Sequence, residues 1–276
     1  MGAEGELEAA LAGAPGPVVV MAKDLEGRRV VRRGAQRRVP AASTIKVPIL
    51  GAIAAAVHAR RLDWDAAHTL SGRQLEVPGG GVLTRFRPPV TLSLYNLATL
   101  MIIVSDNAAT NYVIELVGFE AINRFCLEHG MANTQCVRLM RSGGVKLGEP
   151  DNMTTMEDQV TLYERLYHGT VVHPDVSGQM LRILEGQQLK TKMPRYLNAE
   201  AGVRFAHKTG TTTGNGASAL DAGLIYVGDT PPIAFAAACT GWSLQAFADE
   251  TIGRVAGVVV GAWRTLPATA TASPPS

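Results

Sequence analysis

Three short stretches of this 276-residue chain carry side chains able to act on a carbonyl: Ser43-Thr44-Ile45-Lys46, Ser105-Asp106-Asn107 and Lys208-Thr209-Gly210. They supply a nucleophile, two lysines and two further hydrogen-bonding side chains. A serine hydroxyl is a weak nucleophile until a base takes its proton. Lys46 follows Ser43 by three positions, so on a helix both stand on one face. Lys46 can be that base only when neutral, which needs a pKa lowered by burial or by a nearby cation. Lys208 is the candidate cation. Backbone N–H groups at the helix start beneath Ser43 suit a developing oxyanion. Ser105 is a candidate proton relay to the leaving group, and Asn107 a candidate holder of Lys46 and of a substrate amide. Lys208 offers positive potential to a substrate carboxylate, with Thr209 beside it. Gly210 lets the backbone approach closely, and the N–H of Thr211 joins that of Ser43 as an oxyanion donor. The set reads as an active-site serine acylase that works on amides or esters without histidine.

Each stretch alone has a plainer reading. Average residue usage yields roughly one Ser-x-x-Lys by chance in a chain of this length. Ser105-Asp106-Asn107 falls between two helical patterns and suits a helix N-cap, Asp106 best of all. Lys208-Thr209-Gly210 suits a turn after an edge strand. Together and in order they have a joint chance on the order of one in a thousand or less.

The elements that must position them follow from periodicity. Met1 to Leu11 reads as a helix closed by Pro15-Gly16-Pro17. Val18 to Ala22 reads as a buried strand, with Arg29 to Arg33 returning in a hairpin whose arginines face solvent. From Ser43, the recurrence of Ile45, Ile49, Ile53 and Val57 predicts a helix with Pro48 in its early turns. Helical patterns continue over 93–104, 108–117, 120–129, 155–168 and 174–185. Strands are expected at 205–208, 219–227 and 233–240, then a closing helix at 250–263. The predicted fold is mixed α/β (α+β): one antiparallel sheet from 1–40 and 201–265, flanked by the terminal helices, with an all-helical lobe over 41–200. The Ala/Thr/Pro/Ser-rich stretch 266–276 reads as a disordered tail.

Composition narrows the function classes. A net charge of +2 gives no electrostatic footprint for nucleic acid or an acidic membrane. Three cysteines without close pairing give no disulfide framework. The six histidines lack metal-ligand spacing, so no metal and no cofactor is expected. No apolar run is long enough to span a bilayer. The N-terminus lacks a signal-peptide pattern as written, which predicts a cytoplasmic protein, or an exported one if a longer precursor is trimmed. The expected partner is a small-molecule substrate, and the expected state a monomer.

With these motifs in hand, the chain resembles the penicillin-recognising serine enzymes, most closely the class A β-lactamase branch. The resemblance runs from about Val18 to Trp263. Ser43 and Ser105 lie 62 positions apart, and Ser105 and Lys208 lie 103 apart, both close to that branch. The runs Leu100 to Asn107 and Ala206 to Thr211 strengthen it. It implies a two-lobed β-lactamase/transpeptidase-like fold with the site in the cleft between lobes. Gly79-Gly80-Gly81 then falls where the family places a cleft-facing loop, although a plain turn is the simpler reading.

One departure matters. Class A enzymes carry a glutamate on an Ω-shaped loop that activates the water for deacylation. Counting back from Asn152-Met153-Thr154-Thr155 places it near Met140, where the chain reads Arg138-Leu139-Met140-Arg141-Ser142. The nearest carboxylate is Glu149, followed by Pro150. The resemblance therefore implies an acyl-enzyme on Ser43 with weak deacylation of β-lactams. The alternatives are a true class A β-lactamase using Glu149 as base, a D-alanyl-D-alanine peptidase, and a non-enzymatic acyl sensor.

Overall fold

The computed structural model describes residues 3–146, 148–197, 202–214 and 216–265; the expected tail at 266–276 lies outside them. The chain begins with helix α1 (Ala3–Leu11), strand β1 (Val18–Asp24) and strand β2 (Val30–Arg33). After the two-residue strand β3 (Val39–Pro40), a 3-10 turn at Ala42–Ile45 runs directly into helix α2 (Lys46–His58). Strand β4 (Ala67–Leu70), helix α3 (Gly72–Leu75) and strand β5 (Val90–Ser93) lead to helices α4 (Leu94–Ile103), α5 (Asn107–Val117) and α6 (Phe119–Glu128). A long loop ends at strand β6 (Met153–Thr154), followed by helices α7 (Met156–Tyr167) and α8 (Pro174–Glu185). Strands β7 (Val203–Thr212), β8 (Ser218–Val227) and β9 (Thr230–Thr240) precede helix α9 (Gln245–Thr265).

Five strands form one antiparallel sheet in the order β2-β1-β9-β8-β7, so the two ends of the chain meet at its centre. Side chains alternate across it with the period of two that strand geometry imposes. Val19, Met21, Ala222, Leu224, Ala234 and Ala236 join the core shared with the helical lobe. Val20, Ala22, Ile225, Phe235 and Ala237 join a second core under α9, with Ile252, Val255 and Val259. Alanine dominates β9, which lets the helices pack close to the sheet centre. The arginines near β2 face outward and are held at the surface: Arg32 meets Glu157 at 3.2 Å and Arg29 donates to the Trp263 carbonyl at 2.6 Å.

The expected sheet, flanking helices and helical lobe are all present. Two details differ. The middle of the chain also carries two short ribbons, β3 with β6 and β4 with β5. Four-residue strands such as Ala67–Leu70 are too short for a legible alternation. Strand β7 also runs on through Lys208, Thr209 and Gly210 to Thr212, instead of ending at the motif. Helix α2 is apolar on every side and buried along almost its whole length, as a central helix must be.

Candidate active site

The 3-10 turn and α2 fix the first motif. Side chains three apart nearly eclipse in a 3-10 turn. Ser43 and Lys46 span that turn, and the Lys46 N–H donates to the Ser43 carbonyl. Ala42, just before the serine, has φ of 45°, a left-handed conformation costly for a residue with a Cβ. Ser105 is the second such residue here, with φ of 57°. Strain of this kind persists where surrounding contacts hold it, commonly at functional sites.

Lys46 is fully buried and surrounded by oxygens. Its Nζ donates to the Ser105 carbonyl at 2.8 Å, to Ser105 Oγ at 3.0 Å and to Asn107 Oδ1 at 2.8 Å. Three acceptors match the three hydrogens of an ammonium. Of the three, only Ser105 Oγ can also donate. When Lys46 gives up a proton, the Ser105 hydroxyl is therefore the group that can turn and donate to the freed lone pair. The sequence placed Lys46 beside the Ser43 hydroxyl; its hydrogen bonds here go to the second motif. Burial pushes the Lys46 pKa well below the lysine range, Lys208 pushes it further, and Asp106 opposes both.

Asp106 is the N-cap of α5, accepting from the Ala109 N–H at 2.9 Å. Its other oxygen accepts from the N–H groups of Val82 and Leu83 at 2.7 and 2.9 Å. Asn107 receives Gly80 the other way, donating its N–H to the Gly80 carbonyl at 2.9 Å. The glycine loop is thus stitched to the Ser-Asp-Asn turn and lines the cavity, and is more than a plain turn. Gly81 has φ of 114°, and a Cβ there would lie 2.2 Å from Asp106 Oδ2, so only glycine fits.

Strand β7 closes the opposite wall. Lys208 points toward the helical lobe, is fully buried, and donates to the Thr209 carbonyl at 2.8 Å. Burial lowers its pKa to about 7, with Asp221 raising it and Lys192 lowering it. A Cβ on Gly210 would sit 3.1 Å from both Ala42 Cβ and Ser43 N. Its absence lets β7 lie directly against the serine turn. His207 faces the other side of the sheet, pairing with Asp221 at 2.9 Å.

Ser43, Ser105, Asn107, Thr209 and Thr211 line one cavity of about 620 Å³. Several lining residues were not found from sequence. Lys192, only 3% exposed, reaches Thr211 Oγ1 at 3.0 Å and pairs with Asp249 of α9 at 3.1 Å. No motif marks it, because its partner lies 57 positions away. Met140, near which the resemblance placed the missing glutamate, does line the cavity and forms another wall with Arg141, Ser142 and Gly143. Asn111 clamps Met140 on both sides, accepting from its N–H at 2.6 Å and donating to its carbonyl at 2.9 Å.

Glu149 is not brought to the site. It is exposed, accepts from Arg141 Nη2 at 2.6 Å and from the Lys146 N–H at 3.1 Å, and has its pKa lowered by those contacts. It does not line the cavity, and among the described residues the lining holds no carboxylate at all. Among the described residues, no group of three His, Cys, Asp or Glu side chains is placed to hold a metal ion. No helix among them is long and apolar enough to cross a membrane.

A family model for the β-lactamase enzyme family matches residues 3–263. The chain belongs to the β-lactamase enzyme family. Among solved structures, the β-lactamase of Sphaerobacter thermophilus DSM 20745 is 29% identical, with a TM-score of 0.88 over 96% of this chain and 97% of that one. The protein PBP-A is 26% identical, with a TM-score of 0.83 over 96% of each chain. A leucine-to-glutamate mutant of PBP-A is known as an acyl-enzyme complex with penicillin G. A reconstructed ancestral class A β-lactamase, 22% identical with a TM-score of 0.84 over 94% of this chain and 99% of that one, shares the fold. No curated protein matches the chain at a significant level.

Proposed function

We propose that this member of the β-lactamase enzyme family is a penicillin-binding serine acylase, in which Ser43 is acylated and the acyl-enzyme is hydrolysed slowly. One observation carries the reading: a buried, oxygen-ringed Lys46 stands one turn from Ser43, and Ser43 lines a cavity whose described lining lacks any carboxylate.

In the neutral form Lys46 takes the Ser43 proton as Oγ attacks the carbonyl. The N–H groups of Ser43 and Thr211 receive the oxyanion. The proton passes through Ser105 to the leaving nitrogen, and the C–N bond breaks. Lys208 and Lys192 supply positive potential for the substrate carboxylate beyond that bond. Hydrolysis of the resulting ester then needs water and a base to activate it. Without a placed base it loses about 10²–10⁴-fold. The acyl-enzyme that a leucine-to-glutamate mutant of PBP-A forms with penicillin G supports a penicillin as the acyl donor. A true class A β-lactamase would need Glu149 at the cavity, whereas Glu149 is absent from its lining and paired with Arg141.

Intact-protein mass spectrometry with benzylpenicillin, run beside colour release from a chromogenic cephalosporin, tests the reading. A persistent adduct on Ser43 with little colour is expected. Rapid colour with no lasting adduct would refute slow deacylation, and no adduct with no colour would refute penicillin binding.

A further inference from the structure

The cavity has two cationic walls, and the reaction just described uses only one. Lys192 stands beside Thr211 on the β7 side. Arg141 belongs to the loop between α6 and β6 and lines the cavity from another element. The Arg141 side chain is 47% exposed and paired with Glu149, itself 39% exposed. A solvent-open pair within one loop contributes little, so an anion arriving in the cavity competes with Glu149 on nearly even terms. A guanidinium also carries five donors in a planar fork, so one contact with Glu149 leaves donors free for a second carboxylate.

The backbone around Arg141 is held over the cavity. Asn111 clamps Met140 on one side, and Thr212 Oγ1 of β7 donates to the Gly143 carbonyl at 3.4 Å on the other. The described lining offers no carboxylate to repel an anion. Lys192 is committed to Asp249 and Thr211, whereas among the described residues Arg141 pairs with Glu149 of its own loop.

We propose that Arg141 is a specificity residue that reads a second anionic group, on the acyl arm of the substrate. The preferred acyl donors then carry a carboxylate on each side of the scissile bond. The inference rests on the reading that Ser43 is acylated by penicillin-like donors.

The test compares second-order acylation rates for benzylpenicillin and for carbenicillin, which adds a carboxylate to the same acyl arm. Rates come from intact-protein mass spectrometry. The readout is the carbenicillin-to-benzylpenicillin ratio, which cancels losses common to both donors. Arg141→Gln is expected to lower that ratio about fivefold or more, the scale of one partly exposed charge-assisted hydrogen bond. Arg141→Lys keeps the charge without the fork and should fall between. Glu149→Gln frees the guanidinium and should raise the ratio. A ratio in Arg141→Gln equal to that of the wild type overturns the proposal. Should Arg141→Gln form no adduct at all, Glu149→Gln decides alone, and an unchanged ratio there overturns it. A wild-type protein that reacts with neither penicillin overturns the acylase reading and this inference together.

Discussion

Two walls of the same cavity are built to different standards. On the wall made by the serine turn, α2 and the Ser-Asp-Asn turn, the groups around the nucleophile are buried and matched: Lys46 to three oxygens, Asp106 to three N–H groups, Asn107 to Lys46 and to the Pro78 carbonyl at 3.2 Å. On the wall made by the Met140–Gly143 loop, the backbone is equally well clamped, but the side chains are a thioether, an exposed guanidinium and a hydroxyl. The first wall holds what attack on a carbonyl needs. The second lacks what activation of water needs. Precise positioning and the right chemical group are separate requirements, and this loop meets only the first.

The contrast can be broken at its strong side first. Ser43→Ala should abolish the penicillin adduct; an adduct of the same mass shift in that variant would remove Ser43 as nucleophile. Lys46→Ala should slow acylation by about 10²–10⁴-fold, the usual contribution of a positioned base. A wild-type rate would mean another group takes the proton. The weak side can be repaired. Met140→Glu puts a carboxylate on a residue already lining the cavity, and should shorten the adduct lifetime at least tenfold, read by mass spectrometry after excess penicillin is removed. An unaltered lifetime in a variant that still acylates would show that more than a carboxylate is missing.

Smaller effects sharpen the same comparison. In the proposed mechanism Lys208 attracts the substrate carboxylate, which it can do only while protonated, and its pKa is lowered to about 7. Acylation of the free enzyme should therefore decline as pH rises through about 7. Lys208→Arg keeps its charge at all these values, so it should move the decline upward, or remove it from the accessible range. A decline at the same pH in Lys208→Arg would assign it elsewhere. The smallest effect is expected from Glu149→Gln on deacylation of benzylpenicillin. The adduct lifetime should stay within about twofold, because Glu149 stands outside the cavity. A tenfold longer lifetime would restore Glu149 as a base.

Much of the strong wall was legible in the sequence because its chemistry is local. Ser43 and Lys46 share a turn, and Ser105 and Asn107 flank a cap. The sheet was legible because β1, β8 and β9 carry continuous apolar runs, as strands buried on both faces must. The rest depends on contacts between distant segments. Lys192 acquires its place from Asp249, Met140 from Asn111, and the glycine loop from Asp106. None of these pairs leaves a periodic or motif-like trace. Glu149 shows the same limit: proximity along the loop says nothing about where a side chain is held, and this one is exposed, paired with Arg141 and absent from the cavity lining.

The central pairing of the sheet carries a consequence for biogenesis. Val18 of β1 lies opposite Cys239 of β9, and β7, which seats against the Ser43 turn, is itself held through β8 and β9. Pairings this distant in sequence close slowly and late. During synthesis the helical segments emerge first, while β1 waits for a strand some two hundred residues downstream. Lys46 therefore gains its neighbour Lys208, and Ser43 its opposing strand, only as the last third of the chain docks. A nascent chain arrested before β9 should carry the complete serine motif and yet be inert toward acyl donors, so reactivity toward a penicillin would report completion of the fold.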